Sequence, residues 1–277
     1  MVGPLIWISI GLFLAGMVLE DWSDELAAGG WIAFGAYWMM RFPVYYQETH
    51  SFIKSILVLV ALPVSVYVAY EIYTNQRDSL VKLSHAVAAM GLIYLPFAFV
   101  DPLRAALIEH TARQSYRLLQ ILGVETTLTT RDGVLNTFVT TNPATGETYV
   151  TYIILACTGI GSMSIFGGVV AAVDAPLDKK IKALGVSIPS IYVLNLIRNA
   201  FITTSYGYQW FPLAEETISG MMGEPYGYAS FFWADKVISQ SLSVVVLVIL
   251  TMAVVRLMPE VHDLLTDVLD VLAGKSA

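Results

Sequence analysis

The chain of 277 residues is 56% hydrophobic and 13% charged, with a mean hydropathy of +0.66. Soluble domains carry about 25% charged residues, so this composition excludes an ordinary water-soluble enzyme and makes a bilayer the expected solvent. A formal net charge of -7 excludes a nucleic-acid-binding face. A single cysteine excludes an internal disulfide, and His50, His85, His110 and His262 are too scattered to form a metal site.

In chain order, the apolar stretches long enough to cross a membrane are 2–19, 53–71, 83–100, 155–173, 181–205 and 235–256. The shorter "AAGGWIAFGAYWMM" at 27–40 brings the expected number to about seven. The first stretch lacks a basic leading region and a small-residue cleavage site, so it is read as a retained span. Between 101 and 154 lies the longest non-spanning segment. "LRAALIEHTARQSYRLLQILG" interleaves Arg104, Arg113 and Arg117 with apolar residues at helical spacing, which predicts an amphipathic interfacial helix. "TTLTTRDGVLNTFVTTNPATGETYVTYII" is rich in β-branched residues. It has turn signals at Asp132-Gly133 and in "NPATGE", which predict a small β-hairpin region. After the last span, Val261, Leu264, Leu265, Val268 and Leu272 predict a tail helix.

Short basic loops lie on the cytoplasmic side. Lys179, Lys180 and Lys182, then Arg77 and Lys82, then Arg256 at the end of the last span, agree on one orientation. It puts 101–154 outside and the C-terminus inside. Arg41 and Lys54 fall outside and the acidic "EDWSDE" inside, against the rule.

This topology gives a depth to three polar residues. At 1.5 Å per helical residue, Cys157 lies about 3 Å inside the outer boundary. Arg198 lies about 26 Å up a hydrocarbon core about 30 Å thick, and Lys236 lies at the outer start of the last span. All three reach one level. Arg198 is a charge within a span, a functional candidate by default, although a side chain so near a helix end can also snorkel to headgroups. Asn195 lies one turn earlier on the same face. Cys157 is either a small buried apolar residue or a nucleophile. For the latter speak a helix N-terminus, which favours a thiolate, and the neighbours Thr158, Gly159, Gly161 and Ser162, which leave open backbone for an oxyanion. The spans flanking the site carry no histidine, so a Cys-His pair is not visible.

Three stretches together carry a family resemblance: "ACTGIGSMSIFGG" with Cys157, "NLIRNAF" with Asn195 and Arg198, and "YGYASFFWADKVISQSLSVV" with Lys236. In order and separation they resemble the exosortase/archaeosortase family, most fully over 83–256. The resemblance implies an all-α polytopic membrane protein: about seven transmembrane helices, the interfacial helix and the extracellular hairpins. It implies a single integral membrane domain, 1–277, made of N-terminal spans (1–100), the extracellular segment (101–154), catalytic spans (155–256) and a cytoplasmic tail helix (257–277). The implied activity is that of a sortase-like cysteine transpeptidase. It removes a tripartite C-terminal signal of Pro-Gly-Phe type from exported proteins through a thioester, coupled to attachment of a membrane phospholipid. Cys157 is then the nucleophile, Arg198 steadies the thiolate or oxyanion, and Lys236 fills a third position that is usually Arg in archaeosortases and His in bacterial exosortases. Neither metal nor cofactor is implied. Two alternatives remain at this level. One is a transporter or assembly scaffold using Arg198 as a ligand-binding charge. The other is an intramembrane serine protease built on Ser162 or Ser164.

Overall fold

The computed structural model describes residues 3–43 and 52–274; His50 and the side chain of Lys54 lie outside them. The described residues form α1 (Gly3–Val18), α2 (Ser23–Pro43), α3 (Phe52–Asn75), α4 (Asp78–Phe99), α5 (Asp101–Ile121), β1 (Thr126–Arg131), β2 (Val134–Thr141) and β3 (Thr148–Tyr152). A 3-10 turn, Leu155–Thr158, leads into α6 (Ile160–Ala172), α7 (Leu177–Gly207), α8 (Glu215–Met222), α9 (Tyr228–Phe231), a π-helical segment (Phe232–Ser239), α10 (Gln240–Leu257) and α11 (Pro259–Leu272).

Among the described residues, four helices are long and apolar enough to cross a bilayer: Ile56–Asn75, Asp78–Phe99, Leu177–Gly207 and the composite Tyr228–Leu257. The expected spans at 2–19 and 155–173 correspond to shorter apolar helices, Gly3–Val18 and Ile160–Ala172. The second is shortened by local backbone geometry. Gly159 takes a left-handed conformation (φ +79°), which ends the 3-10 turn and delays the α-helix to Ile160. Cys157 therefore precedes the helix instead of sitting in its first turn. A side chain at Gly159 would be strained, and its Cβ would sit 3.4 Å from Asn195.

The chain divides into two compact units. One comprises Met1–Ile93, Ser164–Leu184 and Leu257–Ala277, the other Tyr94–Met163 and Gly185–Arg256. In the first, α2 packs against α1 and α3. Trp31 lies against Phe13, with ring centroids 5.6 Å apart. Its Nε1 donates to Ser84 Oγ at 2.8 Å, a bond that satisfies a buried indole. The basic loops are tied by ion pairs, Lys82 to Asp174 at 3.2 Å and Lys179 to Glu260 at 2.6 Å. Glu260 lies outside the spans, and Lys179 holds its carboxyl below the usual range. The tail helix buries Val261, Leu264, Val268 and Val271, a stripe at i, i+3, i+7 and i+10. Leu265 and Leu272, expected on that stripe, are exposed, because the buried face is narrower than the apolar one. Tyr67 Oη donates to the Val271 carbonyl at 3.0 Å.

The packing of α6 on α4 is close. A Cβ at Gly168 would lie 2.5 Å from the Ala86 carbonyl oxygen and 2.9 Å from the Met90 amide nitrogen. Backbone cannot yield as a side-chain tip can, so Gly168→Ala should cost about 1–3 kcal/mol, read as a lowered midpoint in thermal unfolding in detergent.

In the second unit the sheet order is β1-β2-β3, both pairs antiparallel. Asp132 (φ +52°) and Gly133 (φ +79°) form the two-residue turn between β1 and β2. Positive φ at both positions matches the right-handed strand twist. The sheet and α5 share a core of Ile108, Ala112, Leu119, Val124, Phe138 and Ile153, joined by Ala200 of α7, and Cys157 packs against it. Phe138 is fully buried; burial of such a ring stabilises by about 1.5–3 kcal/mol. This core fixes the strand that delivers the chain to Cys157.

Candidate active site

All the residues considered below belong to the second unit. Directly after β3, the chain turns at Leu155–Thr158. Thr158 Oγ1 donates to the Leu155 carbonyl at 2.7 Å and accepts the Ile160 amide at 3.3 Å, so the turn is closed by its own hydroxyl. The Cys157 carbonyl then takes two donors from α7. Asn199 Nδ2 lies at 2.9 Å, and Asn195 Nδ2 makes the second, very short, contact. Asn195 and Asn199 are i and i+4 on one helix face. They clamp the backbone of the cysteine and leave its side chain free. Asn195, which shares a helix face with Arg198, donates to the Cys157 carbonyl.

Arg198 does not snorkel. Its Nη2 donates to Asp235 Oδ1 across to the π-helical segment at 2.5 Å, and the guanidinium is about a quarter exposed. Its Nε is buried without a hydrogen-bond partner. Lys236 turns back on its sequence neighbour: Nζ lies 2.8 Å from Asp235 Oδ2 and 5.9 Å from the centroid of the Phe231 ring. One buried carboxylate thus carries both cations. Neither Asp235 nor Asn199 is among the residues that the sequence singles out. The Asn-x-x-x-Asn spacing was a readable signal for the second; none existed for the first.

Cys157, Asn199, Asp235 and Lys236 line one cavity of about 370 Å³, with Tyr152, Thr203, Tyr206, Glu224 and Tyr228 around it. Tyr206 stacks edge-on with Tyr149 and Phe231 at 5.1 and 5.6 Å. Burial and then the Glu147 carboxylate push Tyr149 up to about 12, so it is a neutral donor near this cavity. Arg198 and Asn195 face a second cavity of about 290 Å³, whose other walls are apolar, among them Leu194, Phe201, Leu242 and Val246.

Burial pushes the Cys157 thiol up, and Asp235 acts in the same direction. A hydrogen bond from the Ile154 backbone to the thiol group, Arg198 and Lys236 oppose this. Gly159 separates the cysteine from α6, so Cys157 precedes that helix instead of occupying its first turn.

The loop before the last span is organised by Glu215, a buried carboxylate. It accepts from the Gly227 amide (2.7 Å), the Ala229 amide (3.2 Å) and Ser219 Oγ (2.5 Å). These amides open the composite span, so Glu215 caps it from a distance. Glu215→Gln places an amide nitrogen among donors. It should lower stability by about 1–3 kcal/mol and speed hydrogen exchange at Gly227 and Ala229.

A family model described as transmembrane exosortase matches residues 1–238, a stretch that contains Cys157, Arg198, Asp235 and Lys236. The chain belongs to the transmembrane exosortase family. It is similar to archaeosortase A of Haloferax volcanii, 38% identical over 287 aligned positions covering 98% of this chain and 93% of the relative. It is also similar to archaeosortase A of Natronomonas pharaonis, 38% identical over 283 positions covering 96% and 88%. No solved structure matches it. As a transmembrane exosortase, it is a multi-pass membrane protein, and Arg198, Asp235 and Lys236 lie on two of its candidate spanning helices.

Proposed function

We propose that this chain is a cysteine transpeptidase of exported proteins, with about seven membrane crossings and its site at the extracellular face. Its substrates carry a tripartite C-terminal signal of Pro-Gly-Phe type. The observation that carries the proposal is the cavity that brings Cys157 together with Lys236 and Asp235, whose carboxylate also holds Arg198 from the neighbouring cavity. Membership among archaeosortase relatives supports the same chemistry.

The Cys157 sulfur attacks the scissile carbonyl carbon. The new C–S bond forms as the carbonyl π-electrons move to oxygen, and Arg198 and Lys236 stabilise that oxyanion. The thiol proton passes to the departing amine, with Lys236 the nearest donor able to relay it. The C–N bond breaks, the tail leaves, and a thioester remains on Cys157. A nucleophilic group of a phospholipid then attacks the thioester, returns a proton to the sulfur and takes the acyl chain. The cavity beside Arg198, with its apolar walls, suits the apolar flank of the signal, bringing the cleavage point to Cys157. Neither metal nor cofactor takes part in any of these steps.

A membrane-impermeant maleimide tests the site. Labelling of Cys157 from outside should block tail removal, and a bound signal peptide should slow the labelling. Because burial raises the thiol, the rate should climb with pH and reach half its maximum above the range of an exposed cysteine, about 8.5. A thiol inert from outside contradicts the proposal; if tail removal is absent as well, a scaffold is favoured.

A further inference from the structure

We infer that Asp235 is the positioning carboxylate of this site, the single group that sets where Arg198 and Lys236 stand relative to Cys157. The role in turnover rests on the transpeptidase function proposed above.

Asp235 is 8% exposed. Its two oxygens are divided between two cations, Oδ1 to Arg198 Nη2 at 2.5 Å and Oδ2 to Lys236 Nζ at 2.8 Å. Among the described residues, Asp235 is the only hydrogen-bond partner of the Arg198 guanidinium. Without it no hydrogen bond holds that side chain towards the last span. Lys236 poses the converse problem. Sequence neighbours on a helix point apart, yet its ammonium is folded back onto the preceding residue. The backbone here is π-helical over Phe232–Ser239, a local widening that re-aims side chains and recurs at functional sites.

The same carboxylate lines the cavity of Cys157. The charged and titratable groups facing that sulfur are Arg198 of α7 and Asp235 and Lys236 of the last span. Tyr152 of β3, Tyr206 of α7, and Glu224 and Tyr228 of the following loop and helix stand around the same space. Arg198, Lys236 and Asp235 as a cluster carry one net positive charge, which Glu224 on the same cavity offsets. Asp235 therefore acts in two opposed ways. It places the cations for the oxyanion, and its own charge disfavours the thiolate. Removing the charge without changing the shape should make the sulfur more acidic and the enzyme slower. A carboxylate that merely holds the fold together would not produce that combination.

Asp235→Asn is expected to lower kcat by about 10- to 100-fold with KM within about two-fold of wild type. The pH profile of Cys157 alkylation by a small maleimide should move to lower pH. Asp235→Glu, which keeps the charge and reaches both cations, should retain the wild-type alkylation profile and about a tenth or more of kcat. D235N with wild-type kcat overturns the inference. So does a slow D235N whose alkylation profile stays in place. If D235N does not reach the folded state, D235E decides: a shifted profile or a kcat at background overturns the role. Absence of tail removal by the wild-type protein would instead defeat the proposed function, and the alkylation arm would still test the place of Asp235 beside the thiol.

Discussion

Cys157→Ala is expected to abolish tail removal from a signal-bearing substrate, a loss of about 10⁴-fold or more if the sulfur forms the covalent intermediate. The geometry makes this a clean test. Asn195 and Asn199 hold the Cys157 carbonyl, not its side chain, and the Thr158 hydroxyl closes the turn. Alanine leaves all of these bonds in place. The sulfur is only half-buried against the α5–sheet core, so the fold loses a small packing contact, about 1 kcal/mol. Activity should vanish while the thermal midpoint scarcely moves. Cys157→Ser should be nearly as inactive, since a hydroxyl in this enclosure lacks a base to activate it. Product formation by immunoblot or mass spectrometry, with a melting curve on the same preparation, checks both parts.

Arg198→Lys is expected to lower kcat by about 10²- to 10³-fold, the usual loss when one charged donor to an oxyanion is removed. Lysine keeps the charge but lacks the planar fork. Arg198 uses Nη2 on Asp235, and in the proposed mechanism Nη1 is left for the reacting group. Lysine has one nitrogen for both tasks, so its ammonium either pairs with Asp235 or approaches the carbonyl. Arg198→Ala should be worse still, because Asp235 keeps only Lys236 to offset a buried charge. Initial rates in proteoliposomes over a range of substrate give kcat and KM separately. A normal kcat for R198K would reduce Arg198 to a structural anchor.

The membrane class was legible from composition, because 13% charge leaves too little polar surface for a soluble particle. The hairpins were legible from Asp132-Gly133, since few residue pairs accept positive φ at two successive positions. Equally legible was the α5 helix, whose apolar spacing survives its three arginines. Less so was the exact length of α6: one left-handed glycine shortened it, and hydropathy does not register φ. On the tail helix, composition marked the apolar face but not which part of it would find a partner.

Within the site, depth along the spans brought Cys157, Arg198 and Lys236 to one level, and no periodicity could go further. Arg198 and Asp235 are 37 positions apart on different helices, and no spacing rule links them. The π-helical segment compounds this, because a helical wheel drawn with 3.6 residues per turn misplaces every side chain across it. Asn195 and Asn199 were visible as an i, i+4 pair. Their target, a backbone carbonyl, carries no mark in the sequence.

The central claim is that Cys157 carries the substrate covalently between tail release and transfer. Intact-mass analysis of the protein, reconstituted with a signal-bearing substrate and with acceptor lipid withheld, tests it most directly. The predicted result is an adduct equal in mass to the substrate without its tail. It maps to Cys157, is released by hydroxylamine and is absent from C157A. Tail release at the normal rate, with neither an adduct at Cys157 nor impairment of C157A, would contradict it.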